Sequence, residues 1–461
     1  MERIQSNSQK QIMKENIQKL RTYSYKDIDI IPQLKQFSAQ EILAMKSVAQ
    51  VIPFRTNNYV VEQLIDWDNI PDDPIFRLTF PQPEMLSREN FERIAKLLEE
   101  NTSQAVMKQA VDKIRSTLNP HPDGQKNYNV PKFHSGTVRG VQHKYPETVL
   151  VFPSAGQTCH AYCTFCFRWP QFINLGDLKF ATRESGDFQN YIQEHKEITD
   201  VLLTGGDPMT MKAWQLALYL EPLLGPDFEH IQNIRIGTKS LSYWPYRYVT
   251  DPDADEILAL FEKIVSAGKH LAIMAHFNHW KELETPVVQE AIRRIRSTGA
   301  CIRTQSPLVN HINNLEKVWV KMWKKQVKLG CIPYYMFVER QTGAKNYFEI
   351  PIFRAWEIFQ GAIQKVSGLS RTVRGPVMSA LPGKIIIDGI AEINNEKVFV
   401  LSFLQARNPD WCKRPFFAKF DPESTWLTTL KPAFGKEKFF FDSALEEMKI
   451  NKQLQLSQAI K

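Results

Sequence analysis

Three of the six cysteines fall within eight residues, as Cys159, Cys163 and Cys166 in the run Gly156-Gln157-Thr158-Cys159-His160-Ala161-Tyr162-Cys163-Thr164-Phe165-Cys166. The other three, Cys301, Cys331 and Cys412, are scattered. A secreted disulfide scaffold is smaller and denser in cysteine, so C-x₃-C-x₂-C points to metal or redox chemistry in a reducing compartment. Thiolates bind iron–sulfur clusters, which usually take four ligands. Three can hold three corners of a cubane and leave one iron open to chelate a substrate or cofactor. Zinc draws its four ligands from two separated pairs in most structural sites. His160, adjacent to Cys159, is badly placed to be a fourth ligand. Zinc and a chance grouping of core cysteines are the alternatives to a cluster.

About forty residues further on comes Val201-Leu202-Leu203-Thr204-Gly205-Gly206-Asp207-Pro208. An apolar run ends there in two glycines, which let backbone approach a ligand closely, and in a carboxylate. Both motifs require strands that end in loops. β-Branched runs supply six: Val149–Phe152, Val201–Thr204, Ile231–Ile236, His270–Ala275, Cys301–Thr304 and Ile332–Phe337. Amphipathic windows alternate with them at Asp187–His195, Ala213–Leu223, Ala254–Ser266, Thr285–Ser297, Leu315–Leu329 and Ile352–Val366. Six strand–helix units in series predict parallel strands with right-handed crossovers. Six are too few for a closed eight-stranded barrel, so the expected fold is α/β, a partial (β/α)6 barrel with its chemistry at the carboxyl ends of the strands.

Three regions are expected. Residues 1–140 read as mainly helical, with windows at Ser38–Gln50, Ser87–Asn101 and Gln104–Leu118, and close on a breaker-rich stretch from Asn119 to Tyr145. Residues 141–384 carry the barrel. Residues 385–461 read as a C-terminal extension with a strand pair, Ile385–Ile387 and Val398–Phe403. An aromatic, basic tail follows, expected to cap the barrel or meet another subunit.

Composition excludes several classes. The 461 residues are 43% hydrophobic and 23% charged, which can bury a full core and argues against disorder or low complexity. No apolar run reaches the length of a membrane span, and the first residues lack the pattern of a signal peptide. A soluble, cytoplasmic protein is expected. Formal net charge is +8; without a block of like charges this motivates an RNA-binding or RNA-modifying alternative only weakly, and no nucleic-acid or membrane partner is expected.

The cysteine loop, with Phe165 just before the last cysteine, resembles that of the radical S-adenosylmethionine superfamily. The resemblance implies a [4Fe-4S] cluster on Cys159, Cys163 and Cys166. It further implies S-adenosylmethionine chelated to the open iron and held against Gly205, Gly206 and Asp207, whose carboxylate would accept from the cofactor's ammonium group. Reductive cleavage would give a 5′-deoxyadenosyl radical that abstracts hydrogen from the substrate. From Gly140 to Lys384 the chain is more closely similar to lysine 2,3-aminomutase and its relatives. The likeness is carried by His143-Lys144-Tyr145-Pro146, Cys166-Phe167-Arg168, Asp200 to Pro208, Arg235-Ile236-Gly237, Ala275-His276-Phe277-Asn278-His279, Gln305-Ser306 with Asn313, and Pro333-Tyr334-Tyr335.

That family also uses pyridoxal phosphate, held by a lysine after a glycine-rich stretch. The matching place is Ser379-Ala380-Leu381-Pro382-Gly383-Lys384. The family's several glycines are cut to one here, and its arginine pair before the first strand appears as Lys144 and Thr148. Phe165, His276 and Gln305 match places near the cofactors, and His279 is a further candidate. Arg168 matches a guanidinium that holds the substrate's α-carboxylate. Acidic residues that meet lysine's distal ammonium are replaced by Arg340 and Ser379, so the resemblance implies 1,2-amino migration on an amino acid other than lysine. The zinc-binding cysteines of lysine 2,3-aminomutase have no counterpart, Cys412 standing alone, and no zinc is expected. The alternative without pyridoxal phosphate is radical oxidation, decarboxylation or epimerisation. An electron donor such as flavodoxin or ferredoxin is implied, and a homo-oligomer is allowed.

Overall fold

The computed structural model describes residues 18–133, 136–173, 181 and 185–458. One eleven-stranded sheet runs in chain order from edge to edge. Its strands are β1 (Val141–Tyr145), β2 (Thr148–Val151), β3 (Asp200–Leu203), β4 (Asn233–Thr238), β5 (His270–His276), β6 (Cys301–Leu308), β7 (Ile332–Val338), β8 (Arg374–Ser379), β9 (Gly383–Ile393), β10 (Glu396–Ala406) and β11 (Phe416–Lys419). Strands β2 to β8 are parallel. Antiparallel β1 joins one end, and the antiparallel set β9 to β11 the other.

Alternation along each parallel strand decides which face does what. Val149, Val151, Val201, Leu203, Ile234, Ile236 and Ile273 point one way into the main core. The crossover helices cover that face. They are Ser185–Glu194, Ala213–Leu220, Ala254–Ser266, Pro286–Ser297, Glu316–Lys328 and Ile352–Gln364. The helix Pro286–Ser297 shows why they do: Thr285 caps it, and Val288, Ala291, Ile292 and Ile295 form one apolar stripe. The opposite strand positions, among them Thr148, Leu150, Leu202, Arg235, Met274, His276 and Gln305, line a cavity of about 320 Å³. The sheet curls around that cavity. Its ends meet through side chains, Lys144 of β1 donating to the Ala380 carbonyl just past β8 at 2.5 Å, while both edge strands remain unpaired to each other.

The six expected strands and the helices between them are present within a few residues of their expected limits. Two features differ. Strand β8 adds a seventh parallel strand; its Arg-Gly-Pro start reads as a turn, because proline cannot donate to a ladder. The short C-terminal strand pair is in fact two eleven-residue strands, β9 and β10. A register shift between Ile387 and Gly389 lets β9 continue past the expected end of its strand. The fold is therefore a large mixed sheet. Residues 385–419 continue it, and their core shares Val338 and Ile352 with the parallel part.

Candidate functional site

The cysteine loop follows β2 and is held largely by the N-terminal region. The Tyr162 amide donates to the Arg55 carbonyl at 2.8 Å, and the Thr164 amide to that of Leu78 at 3.0 Å. Arg55 Nη1 donates to Thr158 Oγ1 at 2.7 Å. Fully buried Asn57 donates to two carbonyls, those of His160 at 3.1 Å and Tyr243 at 2.9 Å. Phe165 and Ala161 complete the N-terminal apolar core. These contacts fix the loop backbone while Cys159, Cys163 and Cys166 face the cavity.

All three cysteines are free and half-buried. Burial pushes the Cys163 thiol up to about 11 and that of Cys166 to about 12, and holds Cys159 well above the usual thiol range. The neighbouring thiols add to the rise at Cys159 and Cys166. Metal binding deprotonates such thiols and offsets the burden. Among the described residues no three His, Cys, Asp or Glu side chains converge on a single ion position. Three cavity-facing thiols on one short loop fit a cubane, which gives each thiolate its own iron. Beneath them lies a layer the sequence did not disclose. The Tyr243 hydroxyl is 3.1 Å from Cys163 Sγ. Lys239 sits 4.5 Å from the centre of the Tyr243 ring and pairs with fully buried Glu282 at 2.6 Å.

The Gly-Gly-Asp turn follows β3 against this loop. A side-chain carbon on Gly206 would sit 2.5 Å from the Thr158 backbone, and one on Gly205, at φ +138°, 2.1 Å from Gln157. The glycines thus admit the cysteine loop itself. Asp207 is engaged within the protein. Its carboxylate already accepts from Met209 N at 2.9 Å, Thr238 Oγ1 at 2.7 Å and Lys239 N at 2.9 Å. It is 2% exposed. Burial raises its pKa against the pull of these donors. Asp207 ties the end of β3 to the end of β4, and its capacity to accept an ammonium group as well is largely used.

His276 lines the cavity beside Phe165, ring centres 6.0 Å apart, with its Nε2 buried and unpartnered. Burial keeps that ring neutral. His279 lies elsewhere, capping the turn at Trp280–Leu283 through Nδ1. Gln305 and Thr148 line the cavity.

The far end of the cavity is cationic. Lys384, at the start of β9, donates to Gln405 Oε1 at 2.7 Å between the rings of Tyr145 and Tyr335. Burial, with Arg235 and Arg374 near, brings its amine down to about 7. Arg340 and Ser379, assigned to one site from separate segments, do meet: Nη2 donates to Oγ at 2.9 Å. The guanidinium groups of Arg168 and Arg340 lie 4.9 and 4.6 Å from the centre of the Phe167 ring. Burial lowers the Arg168 pKa to about 10. Gln405 and Arg407, from the C-terminal strands, line the site without any motif to announce them.

A curled α/β sheet carrying a three-cysteine loop over a cavity with a desolvated lysine is the setting of a radical enzyme. No family model matches the chain. It is 32% identical over 395 residues to a protein of Aquifex aeolicus provisionally named an L-lysine 2,3-aminomutase, covering 86% of this chain and 92% of that one. It is 22% identical to the L-lysine 2,3-aminomutase of Methanococcus maripaludis, over 88% of this chain and 87% of that one. With the glutamate 2,3-aminomutase of Clostridioides difficile it shares 28% identity over about half of each chain (50% and 51%). A solved radical S-adenosylmethionine methyltransferase from Kitasatospora setae superposes with a TM-score of 0.29 at 12% identity, covering 41% of this chain and 36% of that one, too little to carry an argument. The chain belongs to the lysine 2,3-aminomutase-like family of radical S-adenosylmethionine enzymes. It is an enzyme of the aminomutase type, and the family implies a [4Fe-4S] cluster and S-adenosylmethionine.

Proposed function

We propose that this enzyme moves an amino group between neighbouring carbons of an amino acid other than lysine. Cys159, Cys163 and Cys166 would hold the cluster, the Gly205–Asp207 turn would border S-adenosylmethionine, and Lys384 would hold pyridoxal phosphate. One observation carries the reading: the three thiols and the Lys384 amine line the same cavity. When bound, the cluster and S-adenosylmethionine supply a hydrogen-abstracting radical, and pyridoxal phosphate supplies the carrier for the migrating amino group.

The chain's own residues prepare these steps. Lys384, brought to about 7 by burial, offers a neutral amine near neutral pH. Gln405 orients that amine through its Oε1. Arg168 presents a guanidinium fork to an α-carboxylate. Arg340 at Ser379 sets a positive field where a lysine side chain would need a negative one. The apolar rings of Phe165, Phe167 and Tyr335 limit water in the cavity. We read the curled sheet as a partial barrel open enough to admit both cofactors, with a small reducing protein such as flavodoxin or ferredoxin as electron source.

The second reading, radical chemistry without pyridoxal phosphate, draws on Gly383. A side-chain carbon there would lie 2.3 Å from the Gln405 carbonyl, so this lone glycine serves strand packing rather than phosphate contact. Anaerobic reconstitution with iron, sulfide, pyridoxal phosphate and S-adenosylmethionine, followed by reduction with amino acids supplied singly, separates the two. Migration products that disappear in Lys384→Ala, with lysine converted poorly, support the first. Efficient β-lysine formation refutes the substrate assignment, and products unaffected by Lys384→Ala favour the second.

A further inference from the structure

We propose that the end of the cavity away from the cysteines is an oxyanion site, formed by Lys144, Arg340 and Arg407 around the Tyr145 hydroxyl, and that the C-terminal strands belong to the active site because they deliver Arg407. These residues come from three remote places: the end of β1, two residues beyond β7, and one residue beyond β10. All line one cavity.

Polar atoms here are left over. Arg340 Nη1 and the Tyr145 hydroxyl are buried with no hydrogen-bond partner among the described residues. Tyr145 is 7% exposed. The acid beside Arg340 Nη1 is Asp123, at 4.0 Å, and its Oδ2 is likewise buried without a hydrogen bond. Arg407 is anchored by Nε to the Leu381 carbonyl at 2.8 Å, by Nη2 to Asn129 Oδ1 at 2.5 Å and, at 3.4 Å, by Nη1 to the Tyr128 carbonyl, which leaves two of its five N–H groups. Lys144 uses one donor on Ala380. A guanidinium has five donors and an ammonium three, so both keep some in reserve.

The basic groups of Lys144, Arg340 and Arg407 outnumber the nearby carboxylate of Asp123. Burial holds the carboxyl of Glu339, also beside Arg340, well above the usual carboxylate range. Gathering like charges out of water is costly unless a counter-ion enters. Mutual repulsion with Arg407, Arg340 and Lys384 adds to the burial that lowers the Lys144 pKa. An oxyanion of charge near −2, or a carboxylate, relieves both burdens, and the guanidinium forks match its geometry.

Two sources fit this chemistry. One is the phosphate of a cofactor on Lys384, since Lys384 and Lys144 lie 5.4 and 5.2 Å from the centre of the Tyr145 ring. The other is the acidic side chain of a substrate whose α-carboxylate meets Arg168, since Arg168 and Arg340 lie 4.9 and 4.6 Å from the centre of the same Phe167 ring. The inference rests on the cavity being the reaction site, yet its test does not need turnover.

Inorganic phosphate is titrated calorimetrically into the enzyme reconstituted with iron and sulfide but without pyridoxal phosphate, into its Arg340→Gln and Arg407→Gln variants, and into Arg407→Lys. Wild type is expected to bind it, both glutamine variants to bind about tenfold or more weakly, and Arg407→Lys to retain part of the affinity. Thermal melting and iron content check that each variant is folded; should one fail, the other carries the test. Loss of affinity for pyridoxal phosphate but not pyridoxal assigns the cofactor as the source. Loss for glutamate but not glutamine assigns the substrate. Wild type that binds no phosphate, or folded glutamine variants that bind it unchanged, overturns the oxyanion site. S-adenosylmethionine cleavage by the same wild-type preparation shows that the family reading stands regardless.

Discussion

The two ends of the cavity are built on opposite plans. At the cysteine end, backbone does most of the positioning: amides and carbonyls of Arg55, Leu78, Tyr162 and Thr164 lock the loop, Asn57 donates to two carbonyls, and Asp207 accepts from two amides and the Thr238 hydroxyl. At the lysine end, long side chains from β1, β7, β9 and β10 converge with their charges only partly matched. A cluster loop demands fixed Sγ positions, which backbone hydrogen bonds provide. A pocket that must accept an anion and release it keeps charge in reserve. The N-terminal region serves the first end, and the C-terminal strands serve the second.

That contrast can be broken most forcefully at the thiols. The triple variant Cys159→Ala, Cys163→Ala, Cys166→Ala is expected to lose all reconstituted iron and sulfide and all S-adenosylmethionine cleavage. Iron analysis that finds a full cluster in it would remove the assignment. Next comes Lys384→Ala, expected to abolish the visible absorbance that pyridoxal phosphate acquires on binding while leaving iron content intact. The wild-type signal should form faster as pH rises from about 6 to about 8, because the reactive amine is the neutral form and its pKa lies near 7. A rate that falls over that range contradicts the assignment of Lys384 as the nucleophile.

Smaller effects sharpen the comparison. Asp207→Asn places an NH₂ group among three donors and is expected to lower stability by about 1–3 kcal/mol, read from denaturant unfolding. Looser S-adenosylmethionine binding with unchanged stability would instead make Asp207 a direct cofactor ligand. Tyr243→Phe removes the hydroxyl beside Cys163 Sγ. Hydrogen bonds to cluster sulfurs stabilise the reduced, more negative state. The midpoint potential, followed by electron paramagnetic resonance, should therefore move lower with iron content unchanged. An unaltered potential would make the contact one of packing.

The sequence was most informative where spacing is local. Cys159 to Cys166, the glycine pair and the six parallel strands follow from short-range pattern, because a thiolate trio and an alternating or apolar run need nothing distant. It was silent where the site is assembled by topology. Arg407 and Gln405 lie more than twenty residues beyond Lys384 in a segment with no motif, and only the long β9–β10 pairing brings them to the cavity. Tyr243 and Asn57 were invisible for the same reason, since nothing in either segment says which carbonyl or thiol it will face. Strand β8 was hidden by its own glycine and proline. Asp207 was found by its motif, but the three internal donors on its carboxylate, Met209 N, Thr238 Oγ1 and Lys239 N, lie in segments that the motif does not name.

The central claim is that the two ends act on one substrate molecule. It is tested most directly with an amino acid substrate deuterated at its side-chain carbons, turned over by the reduced, reconstituted enzyme, with mass spectrometry of the 5′-deoxyadenosine formed. Deuterium should appear in 5′-deoxyadenosine with the wild type and be lost with Lys384→Ala, even where unlabelled cleavage continues. Label transferred equally without Lys384, or never transferred by the wild type, would contradict a shared reaction cavity.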